Sequence, residues 1–448
     1  MVQASKINFQ FIIVLVVMYV AGVWLGPVIY LLFPLFFGLF ILKEFSFELF
    51  IIAIWLLMLS DYVPVKNATH DDLQFAKDLK FLVPLGLSAS ILLNLRRFAP
   101  IPKFQFYFIP FLIFAIIGLN LNTLDFGVGL QKTISFTLMY FSIPIYVNHL
   151  HRTQGALFWK ALVTFVIGML MIGIILRFAA PQIAMIEGGR FKSILGNPNG
   201  LGIFLNLCFL LWVIVRELKL ATFTKRENQL IFFVILISVI WCGSRNAMMS
   251  MVIFYSLHRM IKLNWFLAIV VGTGLIVYRD LFFELFISGV QFFGLESYFR
   301  VESIEEGSGR VIAWGFAWHE LQDYFFVGGG FGHDEHVMRP NYGWLSKAGH
   351  QGGVHNSYIS LWMDSGLLGL ISYFLAIFIV VGKVMKRNRL VIAFIASIMI
   401  NIVYESWLVA SLNPYTIIFL TLLTMFAQEM GVEKEDVEEE INSELETE

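Results

Sequence analysis

The chain contains little charge for its length. Asp, Glu, Lys and Arg make up only 14% of its 448 residues, whereas 58% are hydrophobic and the mean hydropathy is +0.77. A water-soluble domain of this composition would lack the polar surface needed to cover its apolar residues. The composition therefore excludes an ordinary soluble protein and predicts a polytopic membrane protein.

Cysteines and nucleotide-binding motifs are also scarce. The two cysteines, Cys208 and Cys242, both fall inside apolar runs, which argues against a disulfide framework and against a thiolate metal site. No GxxxxGK[ST] motif occurs, and the GGGFG stretch at 328–332 follows no predicted strand, so ATP-driven chemistry is not supported. No small-residue cleavage pattern follows the first apolar run, which we expect to be a retained membrane helix rather than a signal peptide.

Apolar runs of about 15 to 20 residues recur along the chain, which is the length that a helix needs to cross a bilayer. We predict an all-α fold, an integral membrane protein with about 12 to 14 transmembrane helices and a large outward loop. The helix candidates are 11–25, 27–42, 47–60, 79–94, 104–119, 130–147, 157–177, 199–216, 229–242, 245–260, 263–280, 356–382, 389–407 and 412–428.

The distribution of basic residues predicts the orientation. Connections rich in Lys and Arg alternate with less basic ones, and basic loops tend to remain in the cytoplasm. Both termini are therefore predicted to be cytoplasmic. Within the outward loop, the apolar spacing of 310–326 predicts a helix lying on the membrane surface, with an apolar face that includes Val311, Trp318 and Leu321, and 281–299 is a second such helix.

The chain ends in an acidic tail, with nine acids and one lysine over 433–448. Such a segment is predicted to be solvated and disordered. The resulting division has five parts: N-terminal transmembrane helices (1–177), central transmembrane helices with arginine-bearing outward loops (178–280), the large outward loop (281–354), C-terminal transmembrane helices (355–430) and the acidic cytoplasmic tail (431–448).

Arg177, Arg300 and Arg339 fall on predicted outward segments, where the positive-inside tendency would not place them, and so do three further arginines that are candidate site residues. These three candidates are Arg190, Arg245 and Arg310. A guanidinium group binds phosphate oxygens through two parallel hydrogen bonds, so a group of arginines suits a phosphate or pyrophosphate. The structural alternative is that each arginine reaches towards lipid headgroups.

Polar residues also precede the apolar helix predicted to start near 356. His355 can exchange a proton at neutral pH, and Asn356 either contacts a substrate or caps the helix. Asp364 lies about 13 Å further along a helix, so we expect it to pair with another buried polar group rather than with His355. At 197–200, capping of a helix that starts at Pro198 would explain the asparagines, including Asn199.

A metal site is the weaker interpretation of the HDEH stretch at 333–336. This stretch lacks the HExxH spacing that directs two imidazoles to one ion, so we expect no metal there. The surrounding segment, 328–353, is rich in Gly, His and charge and predicts a loop.

Four stretches together resemble the O-antigen ligase and polymerase superfamily of bacterial envelope glycan assembly, the WaaL and Wzy proteins. They are NPNG at 197–200, GSRN at 243–246, SGRVIAW at 308–314 and HNSYISLWMDSGLLG at 355–369. The last is the most specific, because the His-Asn pair is followed by a GxxG motif, here Gly366 and Gly369. The resemblance covers about residues 190 to 385.

The resemblance implies a glycosyltransferase of the bacterial cytoplasmic membrane that moves a glycan from an undecaprenyl-pyrophosphate donor to a hydroxyl on the periplasmic face. It implies that Arg190, Arg245 and Arg310 face the pyrophosphate, that His355 is an acid/base or orienting residue, and that no cofactor is used. Asn199 and Asn356 join the predicted substrate-binding residues. The expected partners are the lipid-linked glycan, a lipid-linked or lipid A-core acceptor, membrane lipids and a chain-length regulator; nucleic acid is not expected.

Four functions stay open at this stage, one of them that of a related enzyme that glycosylates proteins. The helix number and the large outward loop favour a polymerase, but a ligase that transfers the glycan to lipid A-core shares the same motif. A transporter of lipid-linked oligosaccharides would require ionisable residues at mid-membrane depth and two similar halves. The sequence has no evident repeat, and its polar residues gather on the predicted outward segments, so transport is the third alternative.

Overall fold

The computed structural model describes residues 9–63, 73–121, 124–186, 189–263, 266, 279–292, 294, 310–348, 350 and 352–430. Over these residues the fold is all-α, as predicted. The helices are α1 (Phe9–Trp24), α2 (Ile29–Leu42), α3 (Ser46–Ser60), α4 (Gln74–Leu79), α5 (Leu82–Leu93), α6 (Leu95–Phe98), α7 (Ile109–Leu121), α8 (Phe126–Gln154), α9 (Ala156–Ala179), α10 (Pro181–Ala184), α11 (Pro198–Glu217), α12 (Lys225–Cys242), α13 (Arg245–Leu263), α14 (Arg279–Phe292), α15 (Arg310–Leu321), α16 (His333–Lys347), α17 (Ser357–Met385), α18 (Leu390–Asn401) and α19 (Pro414–Met430). The acidic tail and most of the helix predicted at 263–280 lie outside the described residues.

Within the part of the chain that the structure describes, four segments are long and apolar enough to cross a membrane. They are Phe104–Leu121, Ala156–Ala179, Pro198–Glu217 and Ser357–Met385, and shorter apolar helices accompany them. The chain is therefore an all-α polytopic membrane protein, as its composition predicted. The number of crossings stays a prediction.

The chain forms two compact units. The first consists of Met1–Phe106, Ile134–Ser238 and Ala410–Glu448. Its interior contains α3, which is buried along its whole length except at Glu48, and α11 packs against α19. Burial on all sides is consistent with the continuous apolar sequence of α3.

The second unit consists of Tyr107–Thr133 and Val239–Val409. In this unit α17 packs along α7, and α13 packs along α18. The short helices α15 and α16 pack on α17 around a shared apolar cluster. Its fully buried members are Ala313, Ala317, Leu321, Met338, Leu345, Val354 and Met363.

A helix over 310–326 was predicted, and α15 occupies Arg310–Leu321 of that range. Val311 is 64% exposed and Trp318 is 49% exposed, whereas Ala313 and Ala317 are fully buried. The short alanine side chains allow α15 to approach its neighbours closely, and the larger side chains therefore lie outside the contact.

The long helix α17 is broken at Gly366, whose backbone has φ 70° and ψ 177°. Backbone groups freed by the break bond to the segment 325–330, and we call this arrangement the clasp. Its hydrogen bonds run from Gly329 N to Met363 O (2.8 Å), from Gly330 N to Asp364 O (2.9 Å), from Leu367 N to Phe325 O (2.8 Å) and from Leu368 N to Phe326 O (3.2 Å). The broken helix therefore leaves none of these four groups unsatisfied.

Two glycines make the clasp possible. A Cβ on Gly366 would lie 2.3 Å from the carbonyl of Phe326, and a Cβ on Gly328 would lie 2.4 Å from the backbone nitrogen of Gly366. Both glycines also have positive φ angles, which side-chain-bearing residues rarely adopt. The clasp therefore explains both Gly366 of the GxxG motif and Gly328 of the glycine-rich segment.

The loop prediction for 328–353 was wrong at its centre, because residues His333–Lys347 form α16. The start of α16 is capped by Asp364, which accepts hydrogen bonds from the backbone nitrogens of Gly332 and Asp334, both at 3.0 Å. A carboxylate at this end is also favoured by the helix dipole. Asp364 therefore pairs with buried polar groups, as predicted, and these groups are backbone amides.

Candidate functional site

The site is built on the turn between α18 and α19. The predicted helix 389–407 was too long, since α18 ends at Asn401. The carbonyl of Asn401 accepts a hydrogen bond from Asn246 Nδ2 at 2.8 Å, and the carbonyl of Ile402 accepts one from Ser357 N at 2.9 Å. Because these carbonyls bond to other parts of the chain, the helix stops and Glu405 lies in the turn that follows.

Glu405 joins the two residues that were predicted to be catalytic. Its Oε1 lies 3.0 Å from Nη2 of Arg310, and its Oε2 lies 3.5 Å from Nδ1 of His355. The first is a well-formed ion pair, and the second is an ion-pair distance longer than a good hydrogen bond. The side chains are 7% exposed for Glu405, 17% for Arg310 and 28% for His355, so water screens these charges only in part.

Sequence reasoning missed Glu405, although a signal was present. Between Asp364 and Glu429, Glu405 is the one acidic residue of the sequence. A carboxylate in such an apolar segment is expensive unless it is paired or functional. Because Glu405 was placed inside a predicted helix, its pairing with Arg310 and His355 was not recognised.

The backbone next to Glu405 is fixed by the start of α17. Ser357 Oγ donates a hydrogen bond to the Glu405 carbonyl at 2.7 Å. Asn356 caps α17, since its Oδ1 accepts a hydrogen bond from Ile359 N at 3.1 Å. The capping role considered for Asn356 is thus observed. The cap also holds the preceding residue, His355, beside the turn that carries Glu405.

His355 has an unusual backbone. Its φ angle is 48°, in the left-handed region that non-glycine residues seldom occupy. Such conformations cost free energy and are found preferentially at functional sites. A Cβ on Gly352 would lie 2.6 Å from Nε2 of His355, so the glycine allows the backbone to approach the imidazole closely.

A second histidine supports the segment that carries His355. The Nε2 of His350 donates a hydrogen bond to the carbonyl of Gly353 at 2.8 Å, and the rings of His350 and His355 lie 5.7 Å apart. Burial lowers the pKa of His350, which favours the neutral ring beside His355. Trp314 on α15 adds a hydrogen bond from Nε1 to the carbonyl of Val354 at 3.0 Å.

Arg245 belongs to the same unit and is the first residue of α13. The next residue, Asn246, is the one that bonds to the end of α18. On the same two helices, Ser397 Oγ donates to the carbonyl of Ser250 at 3.0 Å. The GSRN stretch is therefore attached to the turn that carries Glu405.

Arg190 and Asn199 lie in the other unit. Arg190 is 8% exposed, and its Nη2 donates a hydrogen bond to Asn199 Oδ1 at 3.2 Å. Asn197 caps α11 by accepting from Gly200 N at 2.8 Å, as the structural explanation of this stretch predicted. Asn199 therefore orients a buried guanidinium group.

The HDEH stretch lies at the start of α16. His333 is buried at 3% exposure and its ring lies 4.3 Å from that of Tyr324, whereas Glu335 pairs with Lys132 at 2.9 Å. Among the residues that the structure describes, no group of three or more His, Cys, Asp or Glu side chains is arranged to hold a metal ion. These residues are explained by the packing and capping of α16.

The arrangement of Arg310, Glu405 and His355 has a clear chemical capacity. A carboxylate next to one imidazole nitrogen orients the ring and leaves the other nitrogen to exchange a proton. A guanidinium group has five N–H donors, so a single bond to the carboxylate leaves donors for an anionic oxygen. The group can therefore combine proton transfer with the stabilisation of negative charge.

Comparison with known families places residues 230–374 within the Wzy_C model, described as O-antigen ligase. The match spans about a third of the chain and contains Arg245, Arg310 and His355, but neither Arg190 nor Glu405. No curated protein matches the chain. Over this segment the resemblance to the O-antigen ligase and polymerase superfamily is confirmed, which supports a glycan-transferring function in the bacterial envelope.

Proposed function

We propose that the protein is a glycosyltransferase that transfers or polymerises glycan repeat units from an undecaprenyl-pyrophosphate donor, with polymerisation as its reaction. The observation that carries this proposal is the contact of one buried carboxylate, Glu405, with both Arg310 and His355. Two of these three residues lie within the segment that matches the O-antigen ligase family. The donor already contains an activated pyrophosphate leaving group, so the reaction requires neither ATP nor another cofactor.

In the proposed reaction, His355 accepts the proton of the acceptor hydroxyl. Glu405 faces Nδ1, which leaves Nε2 as the nitrogen that takes this proton. The hydroxyl oxygen forms a bond to the anomeric carbon as the bond between that carbon and the pyrophosphate oxygen breaks. Undecaprenyl pyrophosphate leaves with the electron pair, and Arg310 and Arg245 stabilise its charge.

Glu405 acts as a positioning residue in this reaction. Its negative charge holds the Nδ1 side of the imidazole and orients the Arg310 guanidinium through one oxygen each. Electrostatic stabilisation of this kind is most effective when the groups are oriented before the reaction begins. Asn356 contributes by fixing the start of α17 and hence the place of His355.

Arg190 and Asn199 stay predicted substrate-binding residues. Their mutual hydrogen bond keeps the guanidinium group of Arg190 in one orientation, as a pyrophosphate contact would require. We further propose that the protein lies in the bacterial cytoplasmic membrane, with cytoplasmic termini and a periplasmic active site. Its partners would be the lipid-linked glycan, its acceptor and a chain-length regulator.

A ligase is the second candidate, and the description of the matched family as O-antigen ligase favours it. A strain that lacks the protein distinguishes the two reactions by the glycans it accumulates. Loss of a polymerase should leave lipid A-core capped by a single repeat. Loss of a ligase should leave bare core together with accumulated lipid-linked polymer.

Turnover by the purified full-length protein tests the class of function. We expect lipid-linked glycan to be consumed and undecaprenyl pyrophosphate to be released in the presence of an acceptor. Movement of the lipid-linked glycan across liposomes without any turnover would overturn the proposal and establish the transporter alternative.

A further inference from the structure

A second candidate site lies in the first unit, between the end of α11 and the beginning of α12. This open recess has a volume of about 540 Å³ and is lined by aromatic and cationic side chains. Trp212 and Phe223 form part of its wall, Phe233 continues it along α12, and Arg216 and Lys225 supply the positive charge. None of these residues takes part in the proposed reaction.

The walls of the recess are held in place by hydrogen bonds. Asn228 accepts one from Trp212 Nε1 at 3.1 Å and donates one to the carbonyl of Phe223 at 3.0 Å. Thr224 and Glu227 form a reciprocal capping box at the start of α12, with distances of 2.7 and 3.2 Å. The recess is therefore preformed, and a ligand would not have to order it.

The segment 216–228 carries four cations and two acids. Glu227 is paired with Lys160 at 3.0 Å, and Arg216 has only a loose contact of 3.7 Å with Glu217. Arg216 also lies over the Trp212 ring at 5.1 Å, an arrangement that leaves its N–H groups available at the ring edge. Among the described residues, the Lys225 side chain has no hydrogen-bond or ion-pair partner. The recess therefore attracts an anion.

An exposed apolar stripe leads away from the recess along α12. Phe232 and Phe233 are 46% and 62% exposed, and Leu236 and Ile237, one helical turn further on, are each 38% exposed. Residues four apart lie on the same side of a helix. In a membrane protein such a stripe is the natural contact for hydrocarbon chains.

We propose that the recess binds an anionic membrane phospholipid. Arg216 and Lys225 contact its phosphate, the glycerol region lies against Trp212 and Phe223, and one acyl chain follows the stripe from Phe233 to Ile237. Basic pockets at the ends of membrane helices recognise anionic headgroups through this combination of charge and apolar surface. A zwitterionic lipid offers the same chains but no net negative charge, so the site discriminates by charge.

Native mass spectrometry of the purified full-length protein tests the proposal. The probes are phosphatidylglycerol and phosphatidylcholine with identical acyl chains. We expect phosphatidylglycerol to be retained in preference, and the double variant Arg216→Gln with Lys225→Gln to bind it about fivefold more weakly for each cation removed. The double variant Arg216→Lys with Lys225→Arg keeps both positive charges and should still prefer phosphatidylglycerol to phosphatidylcholine.

A matched control removes the same charge from the same segment. Lys219 and Arg226 do not line the recess, so the double variant Lys219→Gln with Arg226→Gln should retain phosphatidylglycerol as the unaltered protein does. Equal loss in both double variants would mean general surface attraction and would overturn the proposal. Displacement of phosphatidylglycerol by millimolar inorganic phosphate would also overturn the proposal, because it would show that the acyl chain contributes nothing to binding.

Discussion

The carboxylate of Glu405 lies 3.5 Å from Nδ1 of His355, although 50 residues separate them in the sequence. The contact depends on the early end of α18, which places Glu405 in a turn, and on the left-handed backbone of His355. A residue that acts only by orienting another should affect the rate of the reaction more than the binding of the substrate.

We expect Glu405→Gln to lower kcat about tenfold or more while KM changes little, because supporting hydrogen-bond partners of reactive groups have effects of this size. The measurement is steady-state turnover of lipid-linked glycan. Glu320→Gln is the matched control, since Glu320 lies on α15 at the far end from Arg310 and should leave kcat unchanged. A large change in KM with constant kcat would contradict the positioning role.

His355→Ala and Arg310→Ala should abolish turnover without reducing the amount of protein in the membrane. Removal of a general base alone costs about 100- to 10,000-fold in rate. Arg310→Lys keeps the charge but loses the planar fork, so we expect intermediate activity. Arg339→Ala is the control, because Arg339 is 70% exposed and, among the described residues, pairs along its own helix with Glu335. Full activity in both alanine variants would contradict the site assignment.

The clasp should tolerate no side chain at Gly366. We expect Gly366→Ala to destabilise the protein by more than about 3 kcal/mol, because it combines a backbone collision with a conformation that only glycine adopts readily. Thermal unfolding in detergent measures the loss. A Cβ added to Gly315 on α15 would meet no neighbouring group within 4 Å, so Gly315→Ala should instead stabilise α15 by about 0.5 to 1 kcal/mol. Equal effects of the two substitutions would contradict this account.

The stability of α16 should depend on pH through His333. Burial lowers the pKa of His333 to about 4, with a smaller effect of the neighbouring His336. Because the unfolded imidazole binds a proton near pH 6.5, the full stability is present above that pH and falls as the pH drops towards 4. The loss of stability approaches roughly 3 kcal/mol once the pH has fallen to about 4.

Hydrogen exchange of the α16 amides between pH 7 and pH 5, corrected for intrinsic exchange, measures this loss. His333→Leu should remove the dependence and also stabilise α16, because both ring nitrogens of His333 are buried without a hydrogen-bond partner in the described structure. His336→Gln removes the exposed neighbouring imidazole and should retain the pH dependence. A pH dependence that survives in His333→Leu would assign the effect to another group.

Local chemistry predicted some parts of this site well. The start of α17 was predictable because Asn356 is a strong capping residue directly before an apolar run. The helical structure of residues 310–321 followed from helical spacing alone. In both cases the residues that decide the structure are neighbours in the sequence.

Other parts depend on partners that are distant in the chain. The end of α18 is set by Asn246 and Ser357, and the start of α16 is set by Asp364. Sequence periodicity contains no information about such hydrogen bonds, so α18 was predicted too long and α16 was predicted as a loop. Glu405 was missed for the same reason.

The clasp also constrains the length of the chain. Its hydrogen bonds join Phe325 and Phe326 to Leu367 and Leu368, and Gly329 and Gly330 to Met363 and Asp364. One residue inserted between Phe326 and Gly329 would therefore shift one of these two pairs relative to the other. It would also move Gly328 away from the backbone of Asp364 and Gly366, where a Cβ has no room. Natural variants of this protein should therefore accept substitutions at the exposed surface of α15 and α16 far more readily than a single insertion or deletion in the short connection between them.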